Sequence, residues 1–137
     1  MIFMHMILPT LMCQGLSKAM VDEHCPANIV SITDIYAYNP HQDFALYCST
    51  KAGLESLNKG FAKKYSPGIR VNAIQPGPIK FLPEHSDEHK EKVISQTLLQ
   101  FEGGFLPIYQ TLQFILSNKY LTGSSIPVDG GRSLVRG

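Results

Sequence analysis

The chain has 137 residues, 44% of them hydrophobic and 17% charged, with a formal net charge of +1. That profile is one of a soluble globular domain, and the near-neutral balance gives no electrostatic case for nucleic acid or for an anionic membrane surface. Cys13, Cys25 and Cys48 are odd in number, widely spaced and without CxxC pairing. They imply reduced thiols in a cytoplasmic protein, with neither a disulfide framework nor a zinc site.

The opening stretch MIFMHMILPTLMCQGL is apolar nearly all round. It lacks a basic leader, carries Pro9 midway, has no small-x-small cleavage site before Lys18, and is too short to span a bilayer, so a buried helix is expected. Asn28 to Thr33 (NIVSIT), introduced by Pro26, is a β-branched run and predicts a strand. IYAYNPHQD follows as a loop with Asn39-Pro40 as its turn signal, and Asp43 is the expected N-cap of a helix from Phe44 to about Lys64. Leu46, Ala52, Leu54, Leu57 and Phe61 supply much of that helix's apolar surface, and Lys63 and Lys64 suit its C-terminus. Ser66-Pro67-Gly68 breaks the helix, and Ile69 to Ile74 (IRVNAI) predicts a second strand closed by Gln75-Pro76-Gly77-Pro78. A charged stretch has helical potential from about Asp87 to Phe101, and Pro107 starts a further helix. After a turn ending at Gly123, Ser125 to Val128 predicts the third strand, before Asp129-Gly130-Gly131.

Helices alternating with short apolar strands predict an α/β fold with parallel strands covered on both faces. Three strands are few for such a sheet, and no GxGxxG or P-loop occurs in the sequence. Residues 1–137 are therefore expected to form a single partial Rossmann-like domain: the C-terminal half of a doubly wound parallel sheet, lacking the N-terminal cofactor-binding half, as a fragment or a product of gene truncation.

Tyr47 and Lys51 stand four apart on the predicted helix, so their side chains share a face with Cβ atoms ~5–6 Å apart. A free phenol ionises near ~10. At ~5 Å and an effective dielectric of ~20, an ammonium stabilises the phenolate by ~3 kcal/mol, or ~2 pKa units, which brings Tyr47 toward the range of general acid–base work. The same spacing also describes an ordinary surface pair on an amphipathic helix. A nearby strand ending in Pro-Gly-Pro-Ile favours the chemical reading, because ligands in open α/β sheets bind at the carboxyl ends of strands.

TDIYAYNPHQDFALYCSTKAGLESL, IRVNAIQPGPI and YLTGSSIPVDGG, in that order, resemble the back half of the short-chain dehydrogenase/reductase family. The resemblance implies that Tyr47 donates or accepts the substrate proton and that Lys51 lowers its pKa and holds the nicotinamide ribose. It places Pro76, Gly77, Pro78 and Ile79 along the nicotinamide, Thr33 among the cofactor contacts, and Asp129 to Gly131 after the last strand. NADPH as cofactor, and a homodimer or homotetramer as the assembled state, are likewise implied by the resemblance alone.

Most members of that family carry a serine thirteen residues before the tyrosine, where this chain has Asp34. Ionised, a carboxylate would repel a developing oxyanion; neutral, it could donate a proton, and the group suits a ring nitrogen that must gain a proton as hydride arrives next to it. Aspartate here resembles the pteridine reductase and dihydromonapterin reductase branch, as do IVSITD, FLPEHSDE and VDGGRSL. The implied substrate is a dihydropterin reduced at its C6=N5 bond, with Tyr47 and Asp34 serving the proton and with Phe81 and Leu82, in a lid, lining its pocket. The competing readings are that Asp34 merely caps a turn, that the protein is a general carbonyl or 3-oxoacyl reductase, or that it is an inactive fragment or an interface module. The family's relay asparagine falls at His5, here read as a helix residue with a satisfied ring nitrogen. His85 and His89 are read as part of a solvated polar segment without metal, and Cys48 as a packed small residue.

Overall fold

The computed structural model describes residues 1–20 and 27–135. Cys25 and Pro26 lie outside the described residues. Helix α1 (Leu8–Met20) is preceded by a π-helical turn, Phe3–Ile7. Strand β1 (Ala27–Ile32), helix α2 (Ala45–Tyr65) and strand β2 (Ile69–Pro76) follow, then α3 (Asp87–Ser95), α4 (Leu106–Ser117) and strand β3 (Ser125–Val128). All three strands are parallel, in the order β1-β2-β3.

The central strand β2 is buried along almost its whole length, as a parallel strand covered on both faces must be. Its alternation assigns the faces. Ile69 and Val71 join Cys13, Phe61 and Ala62 in the core under α1 and α2. Arg70 and Asn72 point the other way. The Arg70 guanidinium donates to the carbonyls of Ile115, Leu116, Asn118 and Leu121, and Asn72 Nδ2 donates to Leu121 O at 3.0 Å. A buried cation thus satisfies the orphan carbonyls at the end of α4, where the helix dipole favours positive charge.

Three sequence expectations are corrected. The N-terminal helix is not buried among the described residues: only Cys13 and Ser17 of α1 are, while Phe3, Met4, Ile7, Leu11, Met12 and Leu16 are each about half exposed. The reason is that α1 meets α2 and the core along one face only, leaving the rest of an apolar surface uncovered. The π turn ends at Ile7, two residues before Pro9, which has no N–H to donate into the helical ladder. Asp43 is not the cap of α2. It sits inside a 3-10 turn, Gln42–Phe44, whose own cap is His41, accepting from Asp43 N at 3.3 Å. Finally, α3 stops at Ser95 rather than near Phe101, because the β3 exit captures the next residues: Leu99 N donates to Gly130 O at 3.0 Å.

Gly77 holds the exits of β2 and β3 together. Its N–H donates to Val128 O at 3.0 Å, and a Cβ built on it would lie 2.6 Å from Asp129 Cα. Backbone is the obstacle, so one of the two exits has to move. Gly77→Ala is expected to lower stability by about 1–3 kcal/mol through overpacking, read from the midpoint of a urea titration followed by circular dichroism; an unchanged midpoint would show that the junction yields freely. No helix among the described residues is long and apolar enough to cross a membrane.

Candidate active site

Tyr47, Lys51 and Glu55 form one stripe on α2, at i, i+4 and i+8, and the stripe faces the carboxyl end of β1. Tyr47 Oη donates to Asp34 Oδ2 at 2.6 Å. Lys51 Nζ donates to Ile32 O at 3.3 Å. Glu55, only 3% exposed, accepts on Oε1 from Thr33 Oγ1 and from Gln75 Nε2 at 2.9 Å, and on Oε2 from Ser125 Oγ and from Tyr38 Oη at 3.4 Å. Three positions of one helix face therefore grip Ile32, Thr33 and Asp34 in turn, and through Glu55 the ends of all three strands. Sequence reasoning missed Glu55; the available signal was its place on the stripe already marked by Tyr47 and Lys51.

Asp34 accepts twice. Its Oδ1 takes the Tyr36 N–H at 2.8 Å, capping the 3-10 turn Ile35–Ala37, and its Oδ2 takes the Tyr47 phenol. The cap and the proton-linked contact thus coexist in one carboxylate. The consequence for Tyr47 reverses the sequence expectation. Its pKa is raised well above the ordinary phenol value, by burial first and then by the hydrogen bond to Asp34 and the charge of Asp34. Lys51 does not offset this: its ammonium is directed to Ile32 O and sits 5.8 Å from the Tyr47 ring centroid. Burial lowers the pKa of Lys51 itself, opposed by Asp34. Tyr47 is thus a protonated donor at neutral pH, not an activated phenolate.

A cleft of about 590 Å³ opens beside this pair, lined by Asp34, Tyr36, the Pro76–Ile79 loop and Phe81. A second of about 540 Å³ also borders Asp34 and is lined by Tyr47 and Phe44. Asp34 borders both, and Tyr47 only the second. Pro76, Gly77, Pro78, Ile79 and Phe81 thus share the Asp34 cleft, while Lys51 lines neither. Two sequence assignments do not hold at the level of side chains. Thr33 is 2% exposed and its hydroxyl is engaged by Glu55 and Ile74 O, so it offers a ligand no side-chain contact. Leu82 is 52% exposed and does not line the cleft, while its N–H donates to His85 Nδ1 at 3.3 Å.

His5 lies in the π turn with Nδ1 2.9 Å from Thr50 Oγ1 and its ring edge-on to Tyr47, centroids 5.6 Å apart. Burial, Lys51 and the N-terminal ammonium lower its pKa, so it packs against the site as a neutral ring. His85 and His89, half-exposed and exposed as a solvated segment would have them, also lie with ring centroids 4.9 Å apart, tilted to each other, beside Phe81 and line the cleft. Among the described residues no cluster of three or more His, Cys, Asp or Glu side chains is arranged to hold a metal. Cys48 is buried, with Sγ 4.0 Å from His41 O.

The sequence profile of the family described as enoyl-(acyl carrier protein) reductase matches residues 6–133. The chain belongs to the short-chain dehydrogenase/reductase family. It is 30% identical over 135 residues to the dihydromonapterin reductase of Enterobacter sp. (strain 638), and 29% identical over 136 residues to that of Escherichia coli O6:K15:H31. Each match covers 98% of this chain and 56% of the relative, so the chain spans about half the length of these curated reductases. Among solved structures it resembles FolM alternative dihydrofolate reductase 1 from Brucella suis, determined in complex with NADP. That match has a TM-score of 0.86 at 28% identity and covers 97% of this chain and 53% of the other. A 4-hydroxyisoleucine dehydrogenase matches in fold, with a TM-score of 0.91 at 23% identity. The α/β architecture with its parallel sheet is thus that of a Rossmann-like short-chain reductase.

Proposed function

We propose that the protein takes part in NADPH-dependent reduction of a dihydropterin to its tetrahydro form. The observation that carries this reading is the 2.6 Å bond from Tyr47 Oη to Asp34 Oδ2, at a site where a carboxylate replaces the usual serine. Relatives named dihydromonapterin reductase and the NADP-bound FolM support the substrate class and the cofactor.

The donor set fits a reduced nicotinamide. Lys51 gives only one hydrogen bond and keeps two N–H donors for a ribose hydroxyl, while Pro76, Gly77, Pro78 and Ile79 line the cleft beside Asp34. When bound, that cofactor supplies hydride. Reduction of the C6=N5 bond forms C6–H, moves the π pair onto N5, and requires one proton there. As N5 gains that pair it competes with Asp34 for the Tyr47 proton, and the N5–H bond forms as the Tyr47 O–H bond breaks. Asp34 borders both clefts and so returns a solvent proton to Tyr47, closing the balance. A raised phenol pKa serves this role, because it keeps the proton on Tyr47 until a stronger acceptor arrives.

The test is NADPH consumption by the full chain with dihydromonapterin, dihydrobiopterin and a 3-oxoacyl thioester in parallel. Turnover of either pterin is the expected result. Turnover of the thioester alone would reassign the protein as an ordinary carbonyl reductase. A second reading, an interface module without turnover of its own, is favoured by the exposed apolar face of α1. Equilibrium titration with NADPH separates the two: micromolar affinity argues against the module, and no binding supports it.

A further inference from the structure

The clefts continue beyond the reacting end. The one bordered by Asp34 and another of about 400 Å³, which opens toward Asn39 and Ser133, share Tyr36, Lys92, Gln96 and Arg132. They form one groove, with Asp34 at one end and two cations along its middle. Arg132 is held in place by three hydrogen bonds: Nη1 to Val93 O at 2.8 Å, and Nη2 to Tyr36 Oη at 3.2 Å and Gln96 Oε1 at 3.1 Å. Every one of these partners is neutral. A guanidinium has five N–H donors in a planar fork, so donors remain for a ligand.

Neither Arg132 nor Lys92 makes a salt bridge among the described residues. The acids Asp87, Glu88 and Glu91 of α3 are exposed and line neither cleft, and Asp43, at the outer end, lies 3.7 Å from His41. Lys80 adds a third cation to the Asp34 cleft, its ammonium 5.7 Å from the Phe105 ring centroid. Partly withdrawing a guanidinium from water with no compensating anion is unfavourable. The groove therefore lacks one charge, and the missing sign is negative.

We propose that this groove holds its substrate at both ends: Asp34, which carries the Tyr47 phenol on its Oδ2, meets the ring nitrogen, while Arg132 and Lys92 receive an anionic substituent, a carboxylate or a phosphate, carried by the same molecule. The ring-nitrogen half rests on the pterin reading above; the anion half does not. Tyr36 couples the two ends, since its N–H binds Asp34 Oδ1 and its phenol oxygen accepts from Arg132.

Three ligands test it by equilibrium binding: dihydrofolate with its carboxylates, a dihydropterin with a phosphorylated side chain, and uncharged dihydromonapterin. Arg132→Met is expected to reduce the preference for an anionic over the uncharged ligand about tenfold, the size of one lost charge-assisted hydrogen bond. Lys92→Gln, at an exposed position without a hydrogen-bond partner in the structure, lowers the same preference less and guards against misfolding of the arginine variant. Rising salt must erode that preference in the native protein. Loss confined to the carboxylate or to the phosphate ligand supports the site and names the group it takes. A preference that neither variant nor salt alters overturns it. If no pterin binds at all, the pterin reading fails by itself; p-aminobenzoylglutamate and inorganic phosphate then probe the anion site alone, and absence of Arg132-dependent binding to both overturns that too.

Discussion

On the proposed pterin reading, Tyr47→Phe is expected to lower turnover of a dihydropterin by about 10²–10⁴-fold, the usual worth of a positioned general acid, with a much smaller change in NADPH affinity. The aromatic body and its edge contact with His5 survive, so the loss isolates the hydroxyl. Asp34→Asn separates the roles within the pair. It removes the charge that raises the Tyr47 pKa while keeping an oxygen to accept from Tyr36 N, so the phenol pKa falls back toward its ordinary value. Tyrosinate absorbance against pH reads this directly: the tyrosine that ionises last in the native protein vanishes in Tyr47→Phe and moves to lower pH in Asp34→Asn. The linked stability has a definite sign. A phenol whose folded pKa exceeds its unfolded value of ~10 contributes fully below that value, and its contribution is lost as pH rises beyond it. Native protein should therefore lose stability above pH ~10 along a slope that Tyr47→Phe lacks. A Tyr47→Phe protein with most of its turnover intact would leave Asp34 as sole proton donor.

What the sequence disclosed and what it withheld divide along locality. All three strands and α2 were legible to within about two residues, because alternation, turn residues and an amphipathic repeat are local signals. The pairing of Tyr47 with Lys51 on one face, and their nearness to Asp34, were legible for the same reason together with the resemblance. The direction of the Tyr47 pKa was not. Spacing along a helix places an ammonium near a phenol, but it does not disclose that the ammonium points to Ile32 O and the phenol to a carboxylate. Nor could composition show that Arg132, ninety-six residues from Tyr36 in the chain, would bond to it. The exposed α1 was misjudged because an all-round apolar pattern states what a helix needs, not what lies against it in the described residues.

Glu55→Leu is the substitution expected to cost most stability. The carboxylate is the common acceptor for Thr33, Gln75, Ser125 and Tyr38, so an apolar replacement strands the buried donors of Thr33, just after β1, and Gln75, on β2, and also removes the partner of Ser125 on β3. Removing one side of such a buried network costs about 3–5 kcal/mol, a large fraction of the 5–15 kcal/mol typical of a folded domain. Glu55→Gln is the informative partner. Its oxygen can keep Thr33 and Gln75, and its amide can donate to the hydroxyls of Ser125 and Tyr38, which accept as readily as they donate. A cost of about 1 kcal/mol is then expected, measured from urea midpoints at constant slope. Should Gln cost as much as Leu, the negative charge and not the count of hydrogen bonds would be what the strand ends require. The same pair of variants bears on the site, since Thr33 is the residue before Asp34. In Glu55→Leu, Thr33 loses its side-chain anchor and keeps only its bonds to Ile74 O, so on the proposed reading turnover should fall by more than the fraction of molecules unfolded, whereas Glu55→Gln, which can still hold Thr33, should keep most of it.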